Sequence, residues 1–276
     1  MDTTDAGPKS TSRAPLPGCD GYANRRLQTL CVWCGPAMVF GWIASFALLA
    51  GFIPPPSPRL TPEDLVALYS EHTLAIRLGL MLTMFASALL VPFAAVISAQ
   101  MRRIEGTRAV LAPTQLVSGG LLALEFIIPL MVWQTAAYRP EIGPVLIRML
   151  NDMGWLMFVG VISSAVVQFA CIGLVIVTDA RHSGVFPRWS GYFNLWVALL
   201  VAPAGIVPFC QDGPFAWNGV FAFFLPMVVF ATWAVVMVVL LRRAIGQDDG
   251  ATLAGGPGLS AEAHRALAAE PAEGRG

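Results

Sequence analysis

Six separate runs of apolar residues, each long enough to cross a bilayer, constrain this chain more than any other feature. They cover approximately residues 31–53, 76–101, 110–138, 153–178, 191–209 and 219–241. A helix needs about 20 mostly apolar residues to cross the hydrocarbon core of a membrane. Only 12% of the residues are charged, against about 25% in a typical soluble domain. The sequence therefore predicts an all-α polytopic membrane helical bundle with six transmembrane helices.

The lysine and arginine residues predict the orientation of this bundle. With the N-terminus inside, the inner segments carry 13 of the 17 basic residues, and the outer loops carry only Arg59, Arg77, Arg139 and Arg148. Cytoplasmic loops of membrane proteins are enriched in Lys and Arg. We therefore expect a multi-pass protein of the cell inner (plasma) membrane, of the bacterial type, with both termini cytoplasmic.

The two ends of the chain differ in composition from the spans. Residues 1–28 are rich in Gly, Pro, Ser, Thr and charge, and residues 244–276 are rich in Gly, Ala and Pro. Such segments bury too little apolar surface to fold by themselves. We expect a disordered cytoplasmic arm and a disordered cytoplasmic tail on either side of a six-helix domain at residues 29–243.

Two segments on the predicted outer side are expected to be short. Thr61 is a suitable helix cap and Pro62 suits the first helical position. The apolar spacing that follows predicts a short amphipathic helix to about His72, which would lie on the outer membrane surface. Residues 139–152 are expected to form a loop with at most a brief interfacial helix before span four.

Glu125 is the one acidic residue that the predicted spans place deep in the membrane. A charge near the middle of a span costs about 2.5–3.5 kcal/mol, and no Lys, Arg or His lies at matching depth in another span. We therefore expect the carboxyl to face the bundle, either neutral or connected to water. Pro129 leaves the carbonyl of Glu125 without its helical donor, Ser118 shares its face, and Gly119–Gly120 permit close helix approach. A proton or cation relay, a substrate contact and a packing contact all stay open for Glu125.

Polar residues on other spans are candidate partners for Glu125. Ser164 and Gln168 share one face of span four at i and i+4, and Asn194 lies early in span five. Each is a candidate hydrogen-bond partner, although Asn194 lies near the predicted inner surface. Interhelical polar contacts contribute about 0.6–2 kcal/mol and often only hold a bundle together. The polar interior is therefore predicted to consist of Glu125, Ser118, Ser164 and Gln168.

A second group of candidates gathers at the predicted outer face. It consists of His72, Asp152, Asp212 and Trp217. Histidine beside carboxylates is a common arrangement for metal ligands, but the spacing of these residues matches no ligand pattern. A solvated acidic surface explains them better, so we predict an outer vestibule without a bound metal.

Other features of the sequence exclude classes of function. Cys31 and Cys34 form a C-x-x-C outside the βαβ context of redox motifs. The formal net charge is zero, which gives no indication of nucleic-acid binding. No span contains a histidine for haem, and the sequence has no P-loop, G-x-S-x-G or H-E-x-x-H motif. We predict no cofactor, and the expected partners are the lipid bilayer and either a membrane-protein partner or a second copy of the chain.

Two short stretches of the sequence carry a resemblance. Residues 183–191, SGVFPRWSG, run straight into a hydrophobic span, and residues 76–79, IRLG, open span two. Both are similar to segments of a broad group of bacterial six-helix integral membrane proteins of unknown function. The resemblance implies six spans and supplies no active-site residues.

Three functions are compatible with these observations. The first is a small-solute or proton-linked permease, or its accessory subunit, with Glu125 in a polar interior. The second is a membrane enzyme or lipid-handling protein that works at the outer vestibule, and the third is a structural partner without a catalytic site. A polar cavity that reaches Glu125 would favour the first function, and converging side chains around His72 would favour the second.

Overall fold

The computed structural model describes residues 19–180 and 183–254, with side chains for residues 24–180 and 183–247. This part of the chain contains helices and loops but no strand, which confirms the prediction of an all-α protein. The α-helices are α1 (Cys19–Trp42), α2 (Pro62–Glu71), α3 (Thr73–Ala88), α4 (Leu90–Glu105), α5 (Leu111–Tyr138), α6 (Pro144–Gly160), α7 (Ser163–Val177), α8 (Arg188–Val201) and α9 (Leu225–Ala254).

Six helical segments of the described chain are long and apolar enough to cross a membrane. They are Asn24–Leu49, Thr73–Arg108, Leu111–Tyr138, Pro144–Val177, Arg188–Phe209 and Val220–Gln247. Large apolar side chains cover the outside of the bundle; Phe40 and Leu48, for example, are 73% and 79% exposed. A soluble protein rarely exposes so much contiguous apolar surface. The chain is therefore an integral membrane protein with several spans.

Five of the six spans are not continuous α-helices. Span two breaks at Leu89, because Pro92 cannot donate to the carbonyl of Ala88. Span five ends in a 3-10 segment at Ala202–Phe209, which contains prolines. Spans one and six contain π-helical segments, which lie at Ile43–Leu49 and Val220–Phe224.

Span four breaks as well, but without a proline. Helix α6 ends at Gly160 and α7 begins at Ser163, and the backbone of Val161 and Ile162 is not helical. The half before the break, α6, contains 17 residues, and the half after it, α7, contains 15. The break therefore lies far from either end of the span. Irregular backbone at this depth is tolerated only where protein or a cavity surrounds it.

Helix boundaries differ from the sequence prediction at three places. Helix α1 already begins at Cys19. Within it, the Gln28 amide donates to Asn24 and accepts a 2.7 Å hydrogen bond from Gln100 of α4. Span four begins at Pro144 instead of after residue 152. Helix α9 continues into the predicted tail as far as Ala254. The rest of the predicted arm and tail lies outside the described residues.

The early start of span four has a packing cause. Pro144 opens α6 directly after Gly143, whose φ of +117° suits glycine. Ile147 and Asn151 then face the protein and are 0% and 1% exposed. Residues that were expected to form a loop therefore form the first turns of a buried helix, because tertiary contacts stabilise them.

Helix α5 is the central helix of the bundle, and it packs against α3, α4, α6 and α7. A Cβ atom on Gly119 would lie 2.6 Å from the Cβ of Ala94 in α4, so glycine is required for this approach. Gly120 has open space instead. The predicted close approach is therefore confirmed for Gly119 only. We call the end of the bundle where α4 ends and α5 begins the basic end, after Arg102 and Arg103, and we call the opposite end the α2 end.

Helix α2 confirms the predicted short helix that begins at Pro62. Thr61 and Asp64 form a reciprocal capping box at its start. Tyr69 is fully buried, and its hydroxyl donates to Oδ1 of Asn151 in α6 at 3.2 Å. Burial, with a smaller contribution from the negative charge of Asp152, raises the pKa of the Tyr69 hydroxyl. Helix α2 thus packs on α6 by its apolar face.

Candidate functional site

An apolar cavity of about 290 Å³ lies inside the bundle on the α2 side of its middle. Its walls come from α1, α5, α6, α7, α8 and α9 and from the irregular segments of the spans, and none of the lining side chains is charged. Seven of these side chains are aromatic: Trp42, Phe46, Phe126, Phe158, Phe169, Phe223 and Phe230. Small-molecule sites in proteins measure about 300–1,000 Å³ and are mostly apolar, so the cavity is at the small end of that range.

The irregular segments of four spans converge on this cavity. The π-helical segments contribute Phe46 and Ala222, and the 3-10 segment contributes Ala204. The break in span four contributes Ile162. Pi-bulges and broken membrane helices often accompany functional sites. The cavity is therefore the place in the described structure where departures from regular helix concentrate.

One side of the cavity borders the outer surface of the bundle, between α1 and α9. Its lining includes Ile43, which is 54% exposed, and Val228, which is 57% exposed. Both side chains are apolar, and both belong to spans. In a bilayer, this side of the cavity faces the acyl chains and not an aqueous phase.

Glu125 does not itself line the cavity, although its neighbour in the sequence, Phe126, does. The Ser164 hydroxyl donates to Oε2 of Glu125 at 2.6 Å, and the backbone N–H of Ser164 faces the same carboxyl group. The predicted contact between Glu125 and Ser164 is therefore confirmed, while the cavity that lies beside them is apolar and not polar.

The carboxyl group of Glu125 lies at the break in span four, beside the start of α7. The first N–H groups of a helix have no acceptor within the helix, and α7 begins in the middle of span four. An acidic side chain at a helix N-terminus interacts favourably with the helix dipole. No side chain of α7 itself caps the helix, so Glu125 of α5 brings a carboxyl group to an uncapped helix end.

The remaining predicted members of the polar interior lie nearer the basic end. Gln168 is fully buried, and neither atom of its amide has a hydrogen-bond partner. Its Nε2 atom lies 3.4 Å from the position that a Cβ on Gly119 would occupy. Ser118 is 6% exposed on the same helix. Asn194 instead accepts from Trp233 at 2.9 Å and is not bound to Glu125.

The predicted outer vestibule does not form one constellation. Asp212 pairs with Arg59, and the Trp217 indole donates to the carbonyl of Pro56 at 2.8 Å. Asp152 accepts from Asn151 at 3.3 Å, and His72 is exposed. Among the described residues, no side-chain hydrogen bond or ion pair joins His72 to any of the other three.

Sequence reasoning missed several residues of the site. The aromatic lining was overlooked because apolar residues in a span resemble ordinary lipid-facing or core residues. Gln115, which is 0% exposed with both amide atoms unpartnered, was also missed. It lies on α5 three residues before Ser118, and a polar residue inside an apolar span is the signal that could have identified it.

The comparisons with known proteins add no further identification. No protein-family model, no curated protein and no solved structure matches the chain. In the part of the chain that the structure describes, no group of three or more His, Cys, Asp or Glu side chains is placed to hold a metal ion. The resemblance to bacterial six-helix proteins stays a prediction, and the function of the site is inferred from its own geometry.

Proposed function

We propose that the protein is a small-solute permease whose solute has an apolar body and reaches its cavity from the bilayer. The observation that carries this proposal is the aromatic cavity of about 290 Å³ at which the irregular segments of four spans meet. An apolar cavity of about 150 Å³ already binds benzene. The volume here therefore suits a substituted aromatic ring, and stacking against the lining rings would hold it.

The route of entry follows from the exposed lining. Ile43 and Val228 form the side of the cavity that faces lipid. A solute that partitions into the bilayer would be concentrated at this side. The π-helical segments and the break in span four supply backbone that can rearrange, as the broken helices of many transporters do.

The solute is also expected to have a polar or cationic end. A wholly apolar molecule crosses a bilayer without a carrier, so a permease is needed only for a molecule with a polar group. Phe126 and Ala165 line the cavity, and their neighbours Glu125 and Ser164 are the polar pair one residue behind the wall. Aromatic side chains bind cations over their faces, and Glu125 would add a negative partner.

The cellular setting is proposed from the charge distribution. An excess of basic residues at one end of the bundle supports a cytoplasmic position for that end and for both termini. A plasma membrane of the bacterial type is the membrane that we propose.

A matched pair of ligands tests the binding part of the proposal. tert-Butylbenzene and phenyltrimethylammonium have the same shape and differ in charge. We expect each to raise the thermal unfolding midpoint of the full chain in lipid nanodiscs, because a ligand that binds only the folded state stabilises it. Ala222→Leu fills the cavity and should abolish both shifts, whereas Ala44→Leu, on the exposed side of the same bundle, should leave them intact.

Transport is tested with the charged member of the pair, because it crosses protein-free vesicles slowly. Radiolabelled phenyltrimethylammonium should enter proteoliposomes that contain the wild-type chain faster than it enters those that contain Ala222→Leu. Equal uptake by both would overturn the permease proposal. Equal stabilisation of wild type and Ala222→Leu by both ligands would show that the ligands act through the lipid and not through the cavity.

A further inference from the structure

Two fully buried glutamines lie between Glu125 and the basic end of the bundle. Gln115 belongs to α5 and Gln168 to α7, and both are 0% exposed. None of their four amide atoms has a hydrogen-bond partner in the protein. In folded proteins nearly all such atoms are bound to protein or to ordered water. These two side chains are therefore positioned to bind water.

The two glutamines continue the polar contact between Glu125 and Ser164. Helix α7 runs antiparallel to α5, since Ser164 contacts Glu125 and Gln168, four residues further along α7, lies against Gly119. Gln115 is one helical turn from Gly119 in the same direction. We call Gln115, Ser118 and Glu125 of α5, together with Ser164 and Gln168 of α7, the polar seam.

Close approach of the helices brings polar groups of α5 and α7 near one another. Gly119 lets α4 contact α5 through Ala94, and the amide of Gln168 lies beside the backbone of α5 at the same glycine. Ser164 and Gln168 are about one turn, or about 5 Å, apart along α7, and Gln115 is about one turn from Gly119. A step of this length is the distance that one or two hydrogen-bonded waters bridge.

The seam ends among polar groups at the basic end. The carboxylate of Glu105 accepts from the backbone N–H groups of Leu111 and Ala112 at 3.0 and 2.7 Å. Ser98 donates to the carbonyl of Ala112 at 2.8 Å. Gln115 lies three residues beyond Ala112. Gln115, the glutamine nearer the basic end, is therefore less than one turn from the backbone groups that bind Glu105 and Ser98.

The ionisable side chains on the helices around α5 lie away from Glu125 along the bundle. Five described helices pack against α5, namely α2, α3, α4, α6 and α7. Their ionisable side chains are Glu63, Asp64, Tyr69 and Glu71 on α2, Arg77 on α3, Arg102, Arg103 and Glu105 on α4, Arg148 and Asp152 on α6, and Cys171 on α7. Those of α4 lie at the basic end, those of α2, α3 and α6 belong to the α2 side of the bundle, and Cys171 lies two turns beyond Ser164 toward the basic end.

We propose that the polar seam holds a chain of water molecules through which Glu125 exchanges its proton with the solution at the basic end. When the carboxylic acid loses its proton to the nearest water, the carboxylate keeps the hydrogen bond from Ser164. The glutamine amides carry no proton themselves; they fix the waters that do. This inference goes beyond the proposed permease and does not depend on what the cavity binds.

Infrared spectroscopy of the full chain in nanodiscs tests the inference. The carboxylic acid C=O band of Glu125 is identified by its loss in Glu125→Gln, and its shift after a change from H₂O to D₂O gives the rate of exchange. Gln115→Met and Gln168→Met remove one amide each at similar volume. We expect either variant to keep the band but to exchange about tenfold more slowly, the effect on a rate of losing one hydrogen bond.

Gln134→Met is the matched control. Gln134 also lies on α5, but toward the α2 end, where its amide donates to the carbonyl of Arg77 at 2.7 Å. Its replacement should leave the exchange rate unchanged. Unchanged exchange in both Gln115→Met and Gln168→Met would overturn the proposal, as would slower exchange in Gln134→Met. Because no solute is present, this outcome is independent of the permease assay.

Discussion

At the scale of single residues, Glu125 contacts the first turn of a neighbouring helix. Ser164 is the second residue of α7, and its hydroxyl is 2.6 Å from the Glu125 carboxyl group. This contact places an acceptor at the end of α7 whose first N–H groups have none within the helix. The structural role and the proposed proton exchange are therefore compatible, because the same carboxyl group serves both.

Two substitutions separate the structural role of Glu125 from its acidity. Glu125→Gln keeps an oxygen that accepts from Ser164, so we expect insertion and thermal stability to stay close to wild type while permease activity is lost. Glu125→Leu removes the acceptor and should reduce the free energy of unfolding by about 1–3 kcal/mol, the cost of an unsatisfied buried polar group. Thermal unfolding in detergent measures both. A Leu variant as stable as wild type would contradict the capping role.

Tyr69 supports a second prediction at this scale, because its burial makes the stability of the fold depend on pH. The pKa of its hydroxyl is raised in the folded state, so this hydroxyl stays neutral while that of the unfolded chain ionises near pH 10. The stability that depends on the neutral Tyr69 is therefore complete below about pH 10 and is lost as the pH rises above that value.

Tyr69→Phe removes the bond to Asn151 and is expected to reduce the free energy of unfolding by about 1 kcal/mol at neutral pH. The variant should lose less stability than wild type when the pH rises from about 9 to about 11. Tyr192→Phe, at a tyrosine that is 49% exposed, is the control. Parallel losses of stability with pH in wild type and Tyr69→Phe would contradict this interpretation.

At the scale of elements, most helices follow from the sequence, whereas their interruptions follow only in part. The break at Leu89 has a local cause in Pro92, and the 3-10 segment has one in its prolines. The break at Val161 and Ile162 has no proline beside it, and the carboxyl group that contacts the start of α7 lies on another helix. The residue pattern of one span does not show which residues of other helices will contact it in the fold.

Two adjacent glycines of α5 provide a matched test of helix packing. Gly119→Ala would place a Cβ 2.6 Å from that of Ala94, so we expect a loss of about 1–3 kcal/mol through overpacking. Gly120→Ala meets nothing within 4 Å and should be neutral or slightly stabilising, since alanine favours helix. Unfolding midpoints of the two variants decide between these outcomes. Equal midpoints would contradict the close contact between α4 and α5.

At the scale of the whole molecule, the number of spans and the depth of Glu125 were predictable from composition and hydropathy. Ser164 could also be proposed from the sequence as a partner of Glu125, because helical spacing shows which polar residues share one face of a helix. The cavity was not, since the aromatic residues that line it have the same composition as a packed core. Only the relative placement of spans one, three, four, five and six shows that space is left between them.

The predicted orientation is tested by labelling Cys210, which lies at the α2 end. In a chain whose other cysteines are replaced by alanine, a membrane-impermeant maleimide should label Cys210 in intact cells. Ser183→Cys, introduced into the same background with Cys210 also replaced, lies in the loop at the basic end and should react only after lysis. The reverse pattern would show that the termini lie outside.

The interruption of span four also has a consequence for the way in which the chain enters its membrane. Neither α6, with 17 residues, nor α7, with 15, reaches the length of about 20 residues that an independent span requires. The two halves must therefore partition from the insertion machinery as a single segment. Because α5 precedes α7 in the chain, the carboxyl group that accepts from Ser164 is synthesised before its donor.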